Sequence, residues 1–396
     1  MNTAVSYNGH IILCFNSGSS SIKFALFQCR GQEETLLAHG AVERIGLPTG
    51  LLRVFGTRHE PLTELNRSFA DHNIAIHSAL DTLESLRLPR PEAVGHRLVH
   101  GGREYDSPII VDLPLLASLK KLTAFAPLHL PAELQGIKST SRRFPEIPQV
   151  ACFDTAFHRR MPEVAQRFPL PRDLWHQGVC KYGFHGLSYE YILDVLGKAA
   201  RGRTIIAHLG NGASMAAVLN GRPLDTTMGF TPTGGLMMGT RCGDLDPGLL
   251  LYLLRENTRN VAEIEELVNH QSGLLGVSGI SSDMETLLAM KNGNPHAAQA
   301  VEMFCYHIRK HIGALAAVLQ GLDTLVFTGG IGEKAAPIRH SVCRGLSYLG
   351  IRIVPALNEC HADTISAADS SCRVMVVPTD EELMIARHTY RAVFRG

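Results

Sequence analysis

Two apolar runs near the start of the chain, Ile11-Ile12-Leu13-Cys14-Phe15 and Phe24-Ala25-Leu26-Phe27, flank the polar stretch Asn16-Ser17-Gly18-Ser19-Ser20-Ser21-Ile22-Lys23. That pattern predicts a buried hairpin with an unusually polar turn. Further strand-like runs follow: PEAVGHRLV, PQVACFD, TIIAHLG, MAAVLN, TLVFTGG and VMVVPTD. Between them, helical patterning covers 71–86 and 297–320. In the second stretch Val301, Phe304, Ile308, Ile312, Leu315 and Leu319 recur near the helical period. Strands alternating with helices of this length predict an α/β protein with mixed or parallel sheets.

One pattern returns about half the chain later. Residues 205–219, IIAHLGNGASMAAVL, repeat the form of 12–26, ILCFNSGSSSIKFAL: apolar strand, Gly/Asn/Ser turn, apolar strand. Either two common hairpins coincide, or a domain is duplicated and each copy presents one small-residue turn. The 396 residues allow about two domains at ~100–200 residues each, and no long linker or low-complexity segment separates them. In a tight turn Gly18 would simply supply backbone freedom. In an anion site the successive N–H groups would form a nest, with serine hydroxyls and Lys23 adding donors and charge. Two such turns, one per half, favour phosphate.

Composition narrows the class. With 38 basic and 37 acidic residues, no global field points to nucleic acid or an anionic membrane, so any anion site is local. Nine cysteines without a CxxC pair suggest a reducing, cytoplasmic setting and no zinc site. The N-terminus lacks a basic region before its short apolar run, unlike a signal peptide, and no run approaches the ~18 apolar residues of a membrane span.

The P-loop pattern GxxxxGK(S/T) is absent. Gly330-Ile331-Gly332-Glu333-Lys334-Ala335 fits GxGxxA after an apolar strand, but it lies late in the chain and lacks a well-spaced acid; close packing against a nucleoside is the safer reading. The remaining chemistry sits in short clusters: GHRLVHGG around Arg97, APLH ending at His129, FDTAFH around Asp154, YGFHG around His185, DTTMGF leading to GTRCGD around Arg241, and PTDEE around Glu381. Singly, each has a structural explanation, such as a helix cap or a loop histidine. Together they supply two arginines for anions, acids for Mg²⁺ and histidines for developing charge, the parts phosphoryl transfer needs.

These motifs, with HLGNGAS, GLMMGTRCGD, SGISSDM, FTGGIGE and PTDEEL, resemble the acetate kinase (acetokinase) family almost end to end. The resemblance implies duplicated RNase H-like α/β domains flanking a nucleotide-binding cleft, divided as 1–152 plus 387–396 and 153–386. It implies reversible, direct in-line transfer of the ATP γ-phosphoryl group to acetate, giving acetyl phosphate and ADP. ATP/ADP and Mg²⁺ are the implied cofactors, with Mn²⁺ as an alternative metal, and the implied assembly is a homodimer. Asn16, Arg97, Asp154, His185 and Arg241 match the family's catalytic residues, and Asn16, Asp154 and Glu381 its metal-associated ones. Arg97, Val99, Leu128, His129, Phe184 and Pro232 match the site for the small acid and its methyl. Ser19, Ser21, Lys23, His208, Leu209, Gly210, Asn211, Gly212, Asp283, Met284, Glu285, Gly330, Ile331, Gly332 and Lys334 match the nucleotide side.

The chain departs from the family pattern in places. Glu285 and Lys334 stand where Arg and Asn are common, and are expected to pair with each other and alter nucleotide contact. Leu130 and Glu133 replace asparagines, Cys180 an arginine, and Thr233-Gly234 a Leu-Glu pair. Three other readings stay open here: a propionate or other short-chain carboxylate kinase, an actin- or Hsp70-like nucleotide switch, and a dinucleotide-dependent dehydrogenase.

Overall fold

The computed structural model describes residues 8–18, 20–127, 129–256 and 259–395. The chain divides into two compact units. The first runs to Phe157 and resumes at Asp380; the second spans His158–Thr379. The final helix, Glu381–Phe394, thus falls wholly in the first unit, where the sequence reading divides the chain at 386.

The first unit is built on eight strands: β1 His10–Ser17, β2 Ser21–Arg30, β3 Glu33–Glu43, β4 Gly50–Gly56, β5 Pro61–Arg67, β6 Ala93–Leu98, β7 Ile109–Ile110 and β8 Gln149–Phe153. Their spatial order is β5-β4-β3-β2-β1-β6-β8-β7. The opening hairpin is present, with Asn16 opposite Lys23, and β1, β6 and β8 run parallel. Parallel pairing requires crossovers. Helix His72–Ser85 precedes β6, its N-cap Asp71 accepting from the Ile74 N–H at 2.8 Å. Helix Leu130–Arg143 precedes β8. Ile11, Leu13 and Phe15 of β1 bury one face with Phe24 and Leu26 of β2 and with Ala75, Ile76 and Leu80 of the first helix. Ile12 and Cys14 are also fully buried, on the face covered by helix Glu381–Phe394. A strand buried on both faces reads as a continuous apolar run, which is how β1 reads.

The second unit has β9 Arg203–Leu209, β10 Ala213–Leu219, β11 Arg222–Thr226, β12 Thr324–Thr328 and β13 Arg373–Val376, in the order β11-β10-β9-β12-β13. Here β10 is antiparallel to β9 and β11, while β9, β12 and β13 run parallel. Strands β3-β2-β1-β6-β8 show the same order and directions. The repeated hairpin of the sequence therefore marks a duplicated topology, as an RNase H-like pair requires. Helix Pro295–Leu319, foreseen over 297–320, starts at N-cap Asn294 and ends with Gln320 in the left-handed conformation. Its buried Val301, Phe304, Ile308, Ile312, Leu315 and Leu319 form the anticipated face.

Strands β3, β4, β5, β7 and β11 are absent from the sequence reading. Edge strand β5, PLTELNR, is exposed along nearly its whole length, so it lacks apolar alternation. Such charged edges resist pairing with another chain.

Gly95 on β6 sets how closely the last helix approaches. A Cβ there would lie 2.3 Å from Thr389 Oγ1 and 2.5 Å from Ile385 Cγ2. Gly95→Val is therefore expected to destabilise the first unit by about 1–3 kcal/mol or more, read as a lower urea midpoint, and to lower activity as the Asp380–Glu382 segment is displaced.

Candidate active site

In the first unit, three parallel strands deliver their C-terminal ends to one edge of the sheet. Arg97, near the end of β6, donates from Nε (3.0 Å) and Nη2 (2.5 Å) to Asp154 Oδ2, just beyond β8. Its Nη1 reaches the Ser17 carbonyl at the end of β1, at 3.3 Å. The Asp154 side chain is 1% exposed and that of Arg97 13%. Burial alone would lower the guanidinium pKa; Asp154 above all, with Glu381 and Glu133, raises it instead, so Arg97 stays charged. Asn16 donates from Nδ2 to Glu381 (2.9 Å) and Glu382 (3.0 Å). Glu382 is pushed up by burial, against the opposing charge of Lys23. Lys23 itself is exposed. Val99, two residues after Arg97, is buried, while His129 stands at the N-cap position of helix Leu130–Arg143. Ser21 opens β2, its carbonyl accepting from the Gly18 N–H at 2.8 Å. Ser19 and Leu128 lie outside the described residues.

Asn16, Asp154 and Glu381 would offer a metal ion side-chain oxygens only, and few of them. That chemistry fits Mg²⁺, which keeps several waters and takes one or two carboxylates plus substrate phosphate. Among the described residues no group of three or more His, Cys, Asp or Glu side chains is arranged as a protein-only metal cage.

In the second unit the β9–β10 turn is the focus. A Cβ on Gly212 would lie 3.4 Å from Arg241 Nη1 and 3.5 Å from His185 Nε2, so the turn, the arginine and the histidine converge. His185 sits at φ +61°, an uncommon backbone for a non-glycine residue, at the start of helix Gly186–Leu196. Its Nδ1 is hydrogen-bonded to Ser214 Oγ at 2.8 Å, and Ser214 in turn meets Tyr189 OH. The ring stacks on His208, centroids 4.3 Å apart. His208 Nδ1 bonds Ser188 Oγ at 2.8 Å, and Ser188 accepts from Thr379 Oγ1 at 2.9 Å. Lys181 clamps the YGFHG loop to DTTMGF through Asp225 (2.8 Å) and the Thr226 carbonyl (3.1 Å). Buried Phe184 accepts from His158 through its carbonyl, at 3.0 Å. Arg241 Nη1 donates to the Pro232 carbonyl at 3.1 Å. Leu209 is buried beneath the turn, whereas Asn211 is exposed at its tip.

The glycine-rich GGIGEK segment opens helix Gly329–Lys334 directly after β12. Gly329 needs its φ of +76°, and its missing Cβ would touch the Leu209 carbonyl at 2.8 Å. Open space surrounds the Cβ position of Gly330, while Ile331 is half-buried and Gly332 buried. Glu333 Oε1 accepts from the N–H groups of Gly329 (2.9 Å) and Thr379 (3.1 Å), tying this turn to the end of β13. Asp283 caps helix Met284–Met290 by accepting from the Thr286 hydroxyl at 2.7 Å and the Thr286 N–H at 2.9 Å, and that bonding, the hydroxyl's first, lowers its pKa. Met284 is buried.

The expected Glu285–Lys334 ion pair does not form among the described residues. Both side chains are exposed. Glu285 occupies the first turn of its helix and Lys334 the last turn of its own, so each complements a local helix dipole.

Several site-supporting residues escaped the sequence reading. Arg339, fully buried, donates to the carbonyls of Gly332 (2.8 Å) and Glu333 (2.7 Å), to Asn358 Oδ1 (2.8 Å) and to His361 Nδ1 (3.0 Å). It caps the GGIGEK helix from below. Ser188, Ser214, Tyr189 and Glu333 orient the histidines and the turn. An arginine or serine in an ordinary helix carries no local mark of such a role; only the contacts assign it.

Comparison with known proteins gives one consistent result. A profile of the Acetokinase family matches residues 11–387. The chain is 48% identical to the acetate kinase of Rhodopseudomonas palustris, over 98% of this chain and 99% of that one. It is 43% identical to that of Heliobacterium modesticaldum, over 96% and 99%. Among solved structures, the acetate kinase of Porphyromonas gingivalis superposes with a TM-score of 0.87 at 41% identity, covering 97% and 100%. A propionate kinase from Francisella tularensis superposes with a TM-score of 0.90 at 36% identity and the same coverage. Fold, strand-end chemistry and sequence thus agree, and the chain belongs to the acetokinase family.

Proposed function

We propose that this chain is a carboxylate kinase that moves the γ-phosphoryl group of ATP reversibly to acetate, forming acetyl phosphate and ADP. The observation that carries this reading is the convergence of Gly212, His185 and Arg241 in one unit, combined with the Arg97–Asp154 pair in the other. In this mechanism Arg97 orients the acetate carboxylate, and a planar guanidinium suits that anion. Val99, Leu128, Phe184 and Pro232 accommodate the methyl group. The N–H groups of the β9–β10 turn, Leu209 to Gly212, receive nucleotide phosphate, with Ser19, Ser21 and Lys23 as further anion donors. Arg241 and His185 stabilise the charge on the phosphoryl group in flight, His129 supports them, and the Ser214 contact fixes the His185 ring. Asn16, Asp154 and Glu381 would hold Mg²⁺, which supplies charge neutralisation at the phosphates when bound. Gly330, Ile331, Gly332 and Asp283 flank the adenosine.

A second reading, propionate as substrate, is favoured by the Francisella neighbour. An extra methylene changes discrimination by only ~1–3 kcal/mol, so propionate is expected to be a poorer substrate rather than an excluded one. Hydroxylamine trapping with ATP, Mg²⁺ and acetate, propionate, butyrate or no acid tests both. Acyl phosphate is expected most strongly with acetate and not without acid; ATP hydrolysis lacking acyl phosphate would refute the kinase. Arg97→Ala and Arg241→Ala are each expected to lower kcat by at least ~10²-fold while retaining the wild-type circular dichroism. Near-wild-type turnover in either would remove its assigned role.

The reading extends to a homodimer in a reducing cytoplasm. Helix Pro247–Arg255 buries no residue, and Leu245, Leu249, Leu251, Tyr252 and Leu254 are 37–58% exposed. An apolar surface of this kind supports a covering partner. The nine cysteines are all free thiols, and no described helix is long and apolar enough to cross a membrane. Leu251→Asp with Tyr252→Asp is expected to halve the solution mass measured by light scattering; an unchanged dimer would place the interface elsewhere.

A further inference from the structure

Glu133 is a carboxyl group buried to 2% exposure on helix Leu130–Arg143. Its Oε2 accepts from the Val99 N–H at 3.0 Å. Its Oε1 is buried without a hydrogen-bond partner among the described residues. The nearby cation, Arg97, is already engaged by Asp154 through two of its nitrogens. A second full carboxylate in this setting would compete with an incoming acid for the same guanidinium, whereas an uncharged acid would not. Burial accordingly pushes the Glu133 pKa up to about 8, against the pull of Arg97 and the Val99 N–H and with help from Asp154.

We propose that Glu133 is a positioning residue for the carboxylate substrate: as a neutral acid it anchors the Val99 backbone, and so fixes the wall for the substrate's alkyl group without occupying Arg97. This deepens the carboxylate-kinase reading and rests on it. Val99 directly follows the last residue of β6, where the ladder ends and its N–H must find another acceptor. Glu133 supplies that acceptor from a neighbouring helix. The strand end carrying both Arg97 and Val99 is thereby held at a single geometry. A loosened Val99 would blur the distinction between a methyl and an ethyl group and weaken binding of the acid. It would leave the nucleotide-binding residues of the other unit untouched.

Glu133→Gln keeps a neutral acceptor of the same shape. Glu133→Leu keeps the volume and removes the acceptor. Steady-state kinetics with acetate, propionate and ATP, on variants whose folded state is checked by thermal melting, separate the possibilities. Gln is expected to match wild type in all constants. Leu is expected to raise the KM for acetate about tenfold, the scale of one buried unsatisfied donor, and to narrow the acetate-to-propionate preference in kcat/KM, with the KM for ATP unmoved. The proposal is overturned if Leu leaves both the acetate KM and the preference unchanged, or raises the KM values of acetate and ATP together. It is equally overturned if Gln is as impaired as Leu, since the charge itself would then be required. If Leu does not fold, the Gln comparison still decides whether a neutral acceptor suffices. Wild-type protein that makes no acyl phosphate from any acid would instead remove the carboxylate-kinase reading, and this role with it.

Discussion

Everything chemical in this molecule depends on parallel pairing beside a hairpin. In each sheet the first strand of an antiparallel hairpin also pairs in parallel with the next strand, which pairs in parallel with another. Three C-terminal strand ends therefore lie side by side, at the edge of an α/β sheet where ligands commonly bind. In the first unit those ends carry Asn16, Arg97 and Asp154. In the second they carry His208, the Gly329–Ile331 turn and Thr379. Residues far apart in the chain become neighbours because the sheet order leaves them no alternative.

Burial then sets the cost of the chemistry placed there. A guanidinium as buried as Arg97 is tolerable only beside its carboxylate, and that carboxylate only beside its cation. The pair is locally neutral, which limits how many further charges the region accepts. Glu382 and Glu133 answer this limit alike: both are acids whose burial favours the proton. The second unit uses a different device. There the Ser214 hydroxyl holds His185 and the Ser188 hydroxyl holds His208, and a neutral hydroxyl orients a ring without itself adding negative charge.

What the sequence made legible follows from the same physics. Strands buried on both faces read as apolar runs, and both hairpin turns stood out because small polar residues interrupt such runs. The duplication was visible as an echo and is confirmed by identical strand order. Edge strand β5 was hidden because, exposed to water along nearly its whole length, it has no reason to alternate; β4 and the second half of β3 alternate only between buried and half-buried positions, without a continuous apolar run to mark them. Glu285 and Lys334 were misread as partners because a charge swap seen in sequence invites pairing, whereas each is accommodated by the end of its own helix. Arg339 and Glu133 act across packed elements, and no short motif records such a contact.

These differences in legibility have a physical order. A residue that meets substrate stands at a strand end or in a turn, where glycine, serine and asparagine are required by backbone geometry and so mark the place. A residue that supports it from behind sits in an ordinary helix whose surroundings are apolar, and nothing local distinguishes it from a surface acid or arginine. What distinguishes it is burial with its bonds directed at backbone: Arg339 at the carbonyls of Gly332 and Glu333, Glu133 at the N–H of Val99. Both close the open end of an element, one a helix, the other a strand, at which an unsatisfied polar group would otherwise remain. The support of the site and the completion of the backbone's hydrogen bonding are therefore the same requirement, met by side chains that only the folded chain identifies.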